Sequence, residues 1–154
     1  QRYADSMATI AVAARCATHP ATGAEFGDLG DVDMEIGMGQ HGEGGGGRQP
    51  MKTAKETIEI MANALVKDIP LAAGDKAFVM INGSGATTLM EMFILYKDCV
   101  HYLESLGIEV VANMVGEILT VQEQAGFQLN IAKWDEEFLR LWNTPAHTPA
   151  FFKE

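Results

Sequence analysis

The 154-residue chain has the length of one ordinary domain, and at that size folding buries roughly 70% of the surface an extended chain exposes. A net charge of −10 argues against a surface that neutralises nucleic-acid phosphates and against a polybasic membrane patch. With 47% hydrophobic and 21% charged residues, two cysteines (Cys16 and Cys99) and no apolar run near the ~18 residues of a membrane helix, the composition predicts a soluble, acidic, cytoplasmic domain, with neither nucleic acid nor membrane as partner.

The chain opens at Gln1 and runs directly into Ala4, Met7, Ala8, Ile10, Ala11 and Ala14. This spacing predicts a helix over 3–15, stopped by His19-Pro20 and Gly23. A chain that starts within structure, with no leader signature, reads as a piece of something longer. Residues 16–33 have no period and carry Glu25, Asp28, Asp31 and Asp33 among glycines, as a turn or hairpin does. Met34, Ile36 and Met38 alternate with Glu35, Gly37 and Gly39, which predicts a short strand. A glycine run follows, from Gly37 to Gly47, where backbone needs unusual φ or close approach.

Thr53 with Glu56 forms a capping-box signal, and Ile58, Met61, Ala62, Leu65 and Ile69 continue it at helical offsets. The apolar run 77–81 predicts a buried strand, and Asn82-Gly83-Ser84-Gly85 turns it. Thr88 with Glu91 repeats the cap and predicts a helix to about Leu106, with Gly107 as its stop. Residues 108–114 and 127–132 predict strands. A short helix near 136–142 precedes the tail Thr144-Pro145-Ala146-His147-Thr148-Pro149. The whole predicts one α+β domain over 1–154: about four strands in a mixed, mainly antiparallel sheet, with helices mostly on one face. The 88–106 helix is apolar nearly all round its first turns (Leu89, Met90, Met92, Phe93, Ile94, Leu95, Tyr96). Its width favours a subunit or domain interface over a helix that covers only its own sheet.

Chemistry has few places to sit. Ile36-Gly37-Met38-Gly39-Gln40-His41-Gly42-Glu43-Gly44 delivers one histidine among glycines, where a neutral imidazole can act as base, nucleophile or ligand. Glu43 stands two residues on; a histidine without function in such a run is the plain alternative. His19, His41, His101 and His147 show no metal-ligand spacing, and the acidic run 25–35 lacks a calcium-loop pattern. A solvated acidic turn explains it, and no metal is expected. The turn 82–87 lacks the lysine of a phosphate-binding loop and reads better as a tight strand-to-helix connection than as an anion site. Cys16 and Cys99 lack neighbours that would activate a thiol. His101 sits where a helix dipole favours a cation, and Trp134 and Trp142 read as packing residues of the closing helix.

Four segments in order carry a resemblance: residues 35–43, residues 79–91, Gln124-Ala125-Gly126-Phe127-Gln128-Leu129 and the tail 144–149, with Cys16, Pro20 and Gly23 approaching the first. Together they resemble the dihydroxyacetone kinase family, and specifically the second half of its substrate-binding K domain or K subunit. The resemblance implies that His41 binds the substrate carbonyl carbon covalently as a hemiaminal, with Gly42 and Glu43 after it as further substrate-binding residues. It implies a small ketose as substrate, a first (N-terminal) half supplying the aspartate base, a second histidine and most hydroxyl-binding groups, and a homodimer. The phosphoryl donor would be ATP-Mg on a nucleotide-binding L domain or subunit, or a phosphotransferase-system protein; no cofactor site is expected in this chain, which alone would not turn over. Gln40 and Gly44 depart from the apolar residue and the proline that the family commonly carries there, which suits another ketose such as erythrulose. The rival readings are a ketose sensor that regulates a partner and a purely structural oligomerisation domain.

Overall fold

A computed structural model describes residues 2–39 and 45–154. A single 3-10 turn, Ala4–Ser6, leads into strand β1 (Met7–Arg15). Strands β2 (Asp33–Ile36) and β3 (Arg48–Pro50) follow, then helix α1 (Ala54–Asp68), strand β4 (Lys76–Gly83), helix α2 (Leu89–Ser105), strands β5 (Glu109–Gly116) and β6 (Ala125–Trp134) and helix α3 (Glu136–Trp142). A ribbon of β7 (Ala146–His147) and β8 (Phe152–Lys153) closes the chain.

The main sheet has six strands in the order β3-β2-β1-β6-β4-β5. Only the β4–β5 pair is parallel, and α2 makes its crossover; the other pairs are antiparallel. The mixed, mainly antiparallel α+β expectation therefore stands, with six strands in place of about four. Alternation along the strands sorts the core into two layers. Val12, Val79, Ile81, Leu129 and Ile131 face α1 and α2 in the larger cluster. Phe78, Ala132 and Trp134 face the other way, against Phe138 of α3. Phe78 and Trp134 stack at 4.7 Å, and Trp142 meets Phe78 edge-on at 5.1 Å. Both tryptophans are packing residues as expected, although Trp134 ends β6 and does not lie on the closing helix.

The helix expected over 3–15 is corrected. Residues 7–15 form β1, which is paired along its length with β6 and at Val12 and Ala13 with β2. Met7, Ala8, Ala11 and Ala14 fall at helical spacing, while Ala8, Ile10, Val12 and Ala14 share the one face of an alternating strand, so the segment fits both periods. Partners distant in sequence decide between them: Ile10 lies opposite Leu129, and Val12 opposite Phe127. β3, absent from the expected elements, is a three-residue edge strand ending at Pro50, where a missing N–H costs little.

Both predicted helix starts carry complete capping boxes, Thr53 with Glu56 and Thr88 with Glu91. α2 ends as its sequence predicts. Gly107, at φ +77°, donates to Glu104 O at 2.9 Å while the Ile108 N–H reaches Leu103 O at 3.0 Å, the paired bonds of a left-handed helix stop. Among the described residues no helix is long and apolar enough to cross a membrane.

Candidate functional site

β2 presents its two faces differently. Met34 and Ile36 are buried in the core, so Asp33 and Glu35 point to the opposite face of the sheet. After Ile36 the chain turns at Gly37 with φ +87°, a conformation that glycine adopts without strain. The Gly37 N–H donates to Ala11 O at 2.6 Å, which fixes the exit of the segment on β1. The return is fixed on β2: the Gly46 N–H donates to Ile36 O at 2.6 Å, and the Gly45 N–H donates to Glu35 Oε1 at 3.0 Å. The two limbs lie so close that a β-carbon on Gly37 would stand 2.7 Å from Gly46 N, and one on Gly45 would fall inside the Gly37 carbonyl. His41, Gly42 and Glu43, the residues singled out from the sequence, lie outside the described residues, as do Gln40 and Gly44.

The exit limb is also held by a side chain. Met38 packs against Ala13, Cys16 and Leu29, and its sulfur accepts from Gln124 Nε2 at 3.7 Å. The first and third sequence segments singled out above thus meet. The second and third are joined as well. The Ser84 N–H donates to Gly126 O at 3.1 Å, the Ala86 N–H to Gln124 O at 3.1 Å, and Thr87 bonds Gly126 both ways.

The turn 82–87 behaves as a connection. Asn82, buried in it, accepts from the N–H groups of Ile118 (2.7 Å) and Leu119 (2.9 Å) and donates to Leu119 O and Gln128 Oε1. At the start of α2 the Glu91 carboxylate accepts from the Thr88 N–H at 2.8 Å and hydroxyl at 2.7 Å, while Thr88 Oγ1 accepts from the Glu91 N–H. These bonds hold the Glu91 carboxyl below its ordinary range.

A cavity of about 320 Å³ opens between α1, α2 and the sheet, lined by Val12, Met34, Thr57, Thr87, Ile94 and Phe127 among others. Its lining is mainly apolar. The hydroxyls of Thr57 and Thr87 are spent on Thr53 O and Gly126 O and the Glu91 carboxylate accepts from Thr88, while Lys52 also lines the cavity. No pattern in the sequence announced it, because its walls come from β1, β2, α1, α2 and β6.

The remaining candidates lie apart. His19 packs on Phe26 and its Nδ1 accepts from the Ala21 N–H at 3.2 Å. His147 packs on Phe152 in the terminal ribbon, and His101 is exposed on α2. Among the described residues no three His, Cys, Asp or Glu side chains gather as a metal site would require. Burial pushes the Cys99 thiol up to about 12 and also raises that of Cys16, so neither is poised as a nucleophile. The signal that sequence reasoning missed is Glu35. It is visible only once the chain has doubled back to bring Gly45 beside it.

Comparison with known proteins gives these positions a context. The Dak1 domain model matches residues 1–150. The chain is 34% identical over 147 residues to the dihydroxyacetone-binding subunit of a phosphotransferase-dependent dihydroxyacetone kinase of Listeria innocua, covering 95% of this chain and 45% of that subunit. It is 37% identical over 124 residues to an L-erythrulose kinase of Pectobacterium atrosepticum, covering 78% of this chain and 21% of the relative. Among solved structures, that of the dihydroxyacetone kinase operon co-activator Dha-DhaQ is similar with a TM-score of 0.84 at 25% identity, over 91% of this chain and 44% of that one. The chain thus spans less than half the length of these relatives.

Proposed function

Because this chain belongs to the Dak1 domain family, we propose that it is the second half of the substrate-binding module of a ketose kinase, and that His41 captures the ketose covalently. The imidazole nitrogen adds its lone pair to the carbonyl carbon. The C=O π pair moves to oxygen, which takes a proton, and the other ring nitrogen gives one up. Nothing leaves, so the adduct carries the full mass of the ketone. Covalent capture replaces much of the translational entropy that a small, freely diffusing triose would otherwise lose in the phosphoryl-transfer step.

The observation that carries this reading is the closed base beneath the segment. Gly37 is tied to β1, and Gly45 and Gly46 to β2, so His41 stands between two fixed ends only a few residues apart. The relatives support the substrate class, since one binds dihydroxyacetone and another is named for L-erythrulose. Gln40 and Gly44, at the positions that flank this histidine block, favour a ketose larger than the triose. The rest of the pocket, including the general base, comes from a first half; the phosphoryl donor, ATP-Mg or a phosphotransferase-system protein, sits on a nucleotide-binding partner. The assembly is cytoplasmic and homodimeric, and the present chain alone does not turn over.

A second reading has one observation in its favour: the similar solved structure that is an operon co-activator. In that reading the module binds ketose and regulates a partner without phosphorylating it. Intact-mass spectrometry of the chain with its first half supplied, in excess dihydroxyacetone or erythrulose, tests capture. A labile adduct of full ketone mass, absent in His41→Ala, is expected; a mass short by one water would mean a lysine imine and overturn the mechanism. An aspartate base in the first half with turnover then separates kinase from sensor.

A further inference from the structure

We propose that Glu35 is the positioning residue for His41, holding the return end of the segment that carries it by accepting from the Gly45 N–H; this rests on the reading of His41 as the capturing group. The two outward carboxylates of β2 serve different partners. Asp33 lies 3.7 Å from Arg48 Nε. Glu35 is the residue paired across the strands with Arg48, where a carboxylate and a guanidinium ordinarily meet side by side. Its Oε1 is bonded at 3.0 Å to Gly45, four residues beyond His41. The other ties at the base, Gly37 to Ala11 and Gly46 to Ile36, are backbone to backbone. They close the segment without depending on any side chain. Glu35 adds a side-chain tie on the return side, four residues from the histidine, and a charged acceptor makes it roughly twice as strong as a neutral one.

The chemistry gives this tie a consequence. Adduct formation needs the imidazole at bonding distance from a carbonyl held by groups on the other half of the module. If only a fraction of molecules hold the segment in that place, the apparent affinity falls by that fraction. Loss of one charge-assisted bond reduces the held fraction roughly tenfold.

The test is an intact-mass titration with dihydroxyacetone, on the chain with its first half supplied, for the parent, Glu35→Ala, Glu35→Gln and Arg48→Ala. Glu35→Ala is expected to need roughly ten times more ketose for half-maximal adduct, and Glu35→Gln, whose amide oxygen still accepts, no more than about three times. Arg48→Ala is expected to leave the titration where the parent has it. Hydrogen exchange at the Gly45 amide should speed up in Glu35→Ala and stay slow in Arg48→Ala. If Glu35→Ala does not fold, Glu35→Asp, which draws the carboxylate back by about one C–C bond, ~1.5 Å, takes its place with the same expectation. A variant lacking the tie that titrates like the parent overturns the proposal and leaves His41 capture standing, as does an equal loss in Arg48→Ala. A parent that forms no adduct at all overturns both.

Discussion

Thr87 and Gly126 exchange two hydrogen bonds through a single hydroxyl. Thr87 Oγ1 donates to the Gly126 carbonyl at 2.6 Å and accepts from the Gly126 N–H at 3.1 Å. The pairing of β4 with β6 ends at Gly83 and Phe127; one residue on, the Ser84 N–H still reaches the Gly126 carbonyl, and the Thr87 hydroxyl adds a second donor to that carbonyl and an acceptor for the Gly126 N–H. Thr87→Val keeps the shape and removes both bonds, leaving the buried Gly126 N–H without its partner. The expected cost is about 1–3 kcal/mol, read as a melting temperature lowered by roughly 2–4 °C per kcal/mol in a domain of this size. Thr87→Ser, which keeps the hydroxyl, should recover most of the loss. Equal melting of all three proteins would contradict the role given to the pair.

Asn82 carries a heavier load. It is 1% exposed, and its amide satisfies two N–H donors and two oxygen acceptors across three segments of chain. A leucine there would strand the N–H groups of Ile118 and Leu119, at an expected cost of about 2–5 kcal/mol. Asn82→Asp is the sharper variant, because it retains both acceptor functions and turns the donor into an oxygen facing Leu119 O and Gln128 Oε1. Urea unfolding should place it close to the leucine variant; a midpoint near the parent's would show that the donor side of the amide contributes little.

These joints explain how much could be read before the fold was known. α1 and α2 announce themselves because the signals that start and stop them are local: Thr53 and Glu56, Thr88 and Glu91, then Gly107. β1 does not, since Ala8, Ala11 and Ala14 suit a helix while Ala8, Ile10, Val12 and Ala14 suit a strand, and only pairing with β2 and β6 selects one. The candidate site divides in the same way. The histidine-bearing segment is recognisable as a pattern of adjacent residues. The sulfur contact of Met38 with Gln124 and the Thr87–Gly126 exchange join residues far apart in sequence, and the tie from Glu35 to Gly45 needs a chain reversal that the glycine run does not specify by itself.

Acid should loosen the start of α2 before its middle. The Glu91 carboxylate, held low by its bonds to Thr88, titrates below its unfolded counterpart, whose ordinary value is near 4.5. A folded-state pKa below the unfolded one contributes stability that is fully present above the unfolded value and is lost as pH falls through the folded value. Glu56 beside Thr53 behaves alike. Stability is therefore expected to be flat from neutral pH to about 5 and to decline below 4.5, as these capping carboxylates take up protons. Glu91→Gln should be less stable than the parent at neutral pH and should decline less steeply in acid. Denaturant midpoints measured between neutrality and pH 3 would reveal this; parallel curves for variant and parent would rule the cap out as a source of the acid sensitivity.

The outer face of α2 is the feature least suited to water. Met92, Leu95, Cys99 and Leu103 fill the core side of the helix, yet Met90 is 72% and Phe93 51% exposed, with Leu89 and Ile94 beside them on the first turns. Contiguous exposed apolar side chains of this kind mark contact surfaces, and the chain spans less than half of its relatives. Under the function proposed above, the expected cover is the first half of the module. In the double variant Met90→Gln, Phe93→Ser the isolated chain should melt within about 0.5 kcal/mol of the parent, because surface changes away from core contacts cost little. Its affinity for the first half should fall at least about tenfold, since burial returns roughly 25 cal/mol for each Å² of apolar area. Titration calorimetry with the separately expressed halves decides the matter. Unchanged affinity, together with a loss of self-association in sedimentation, would reassign this face to the contact between two copies of the chain.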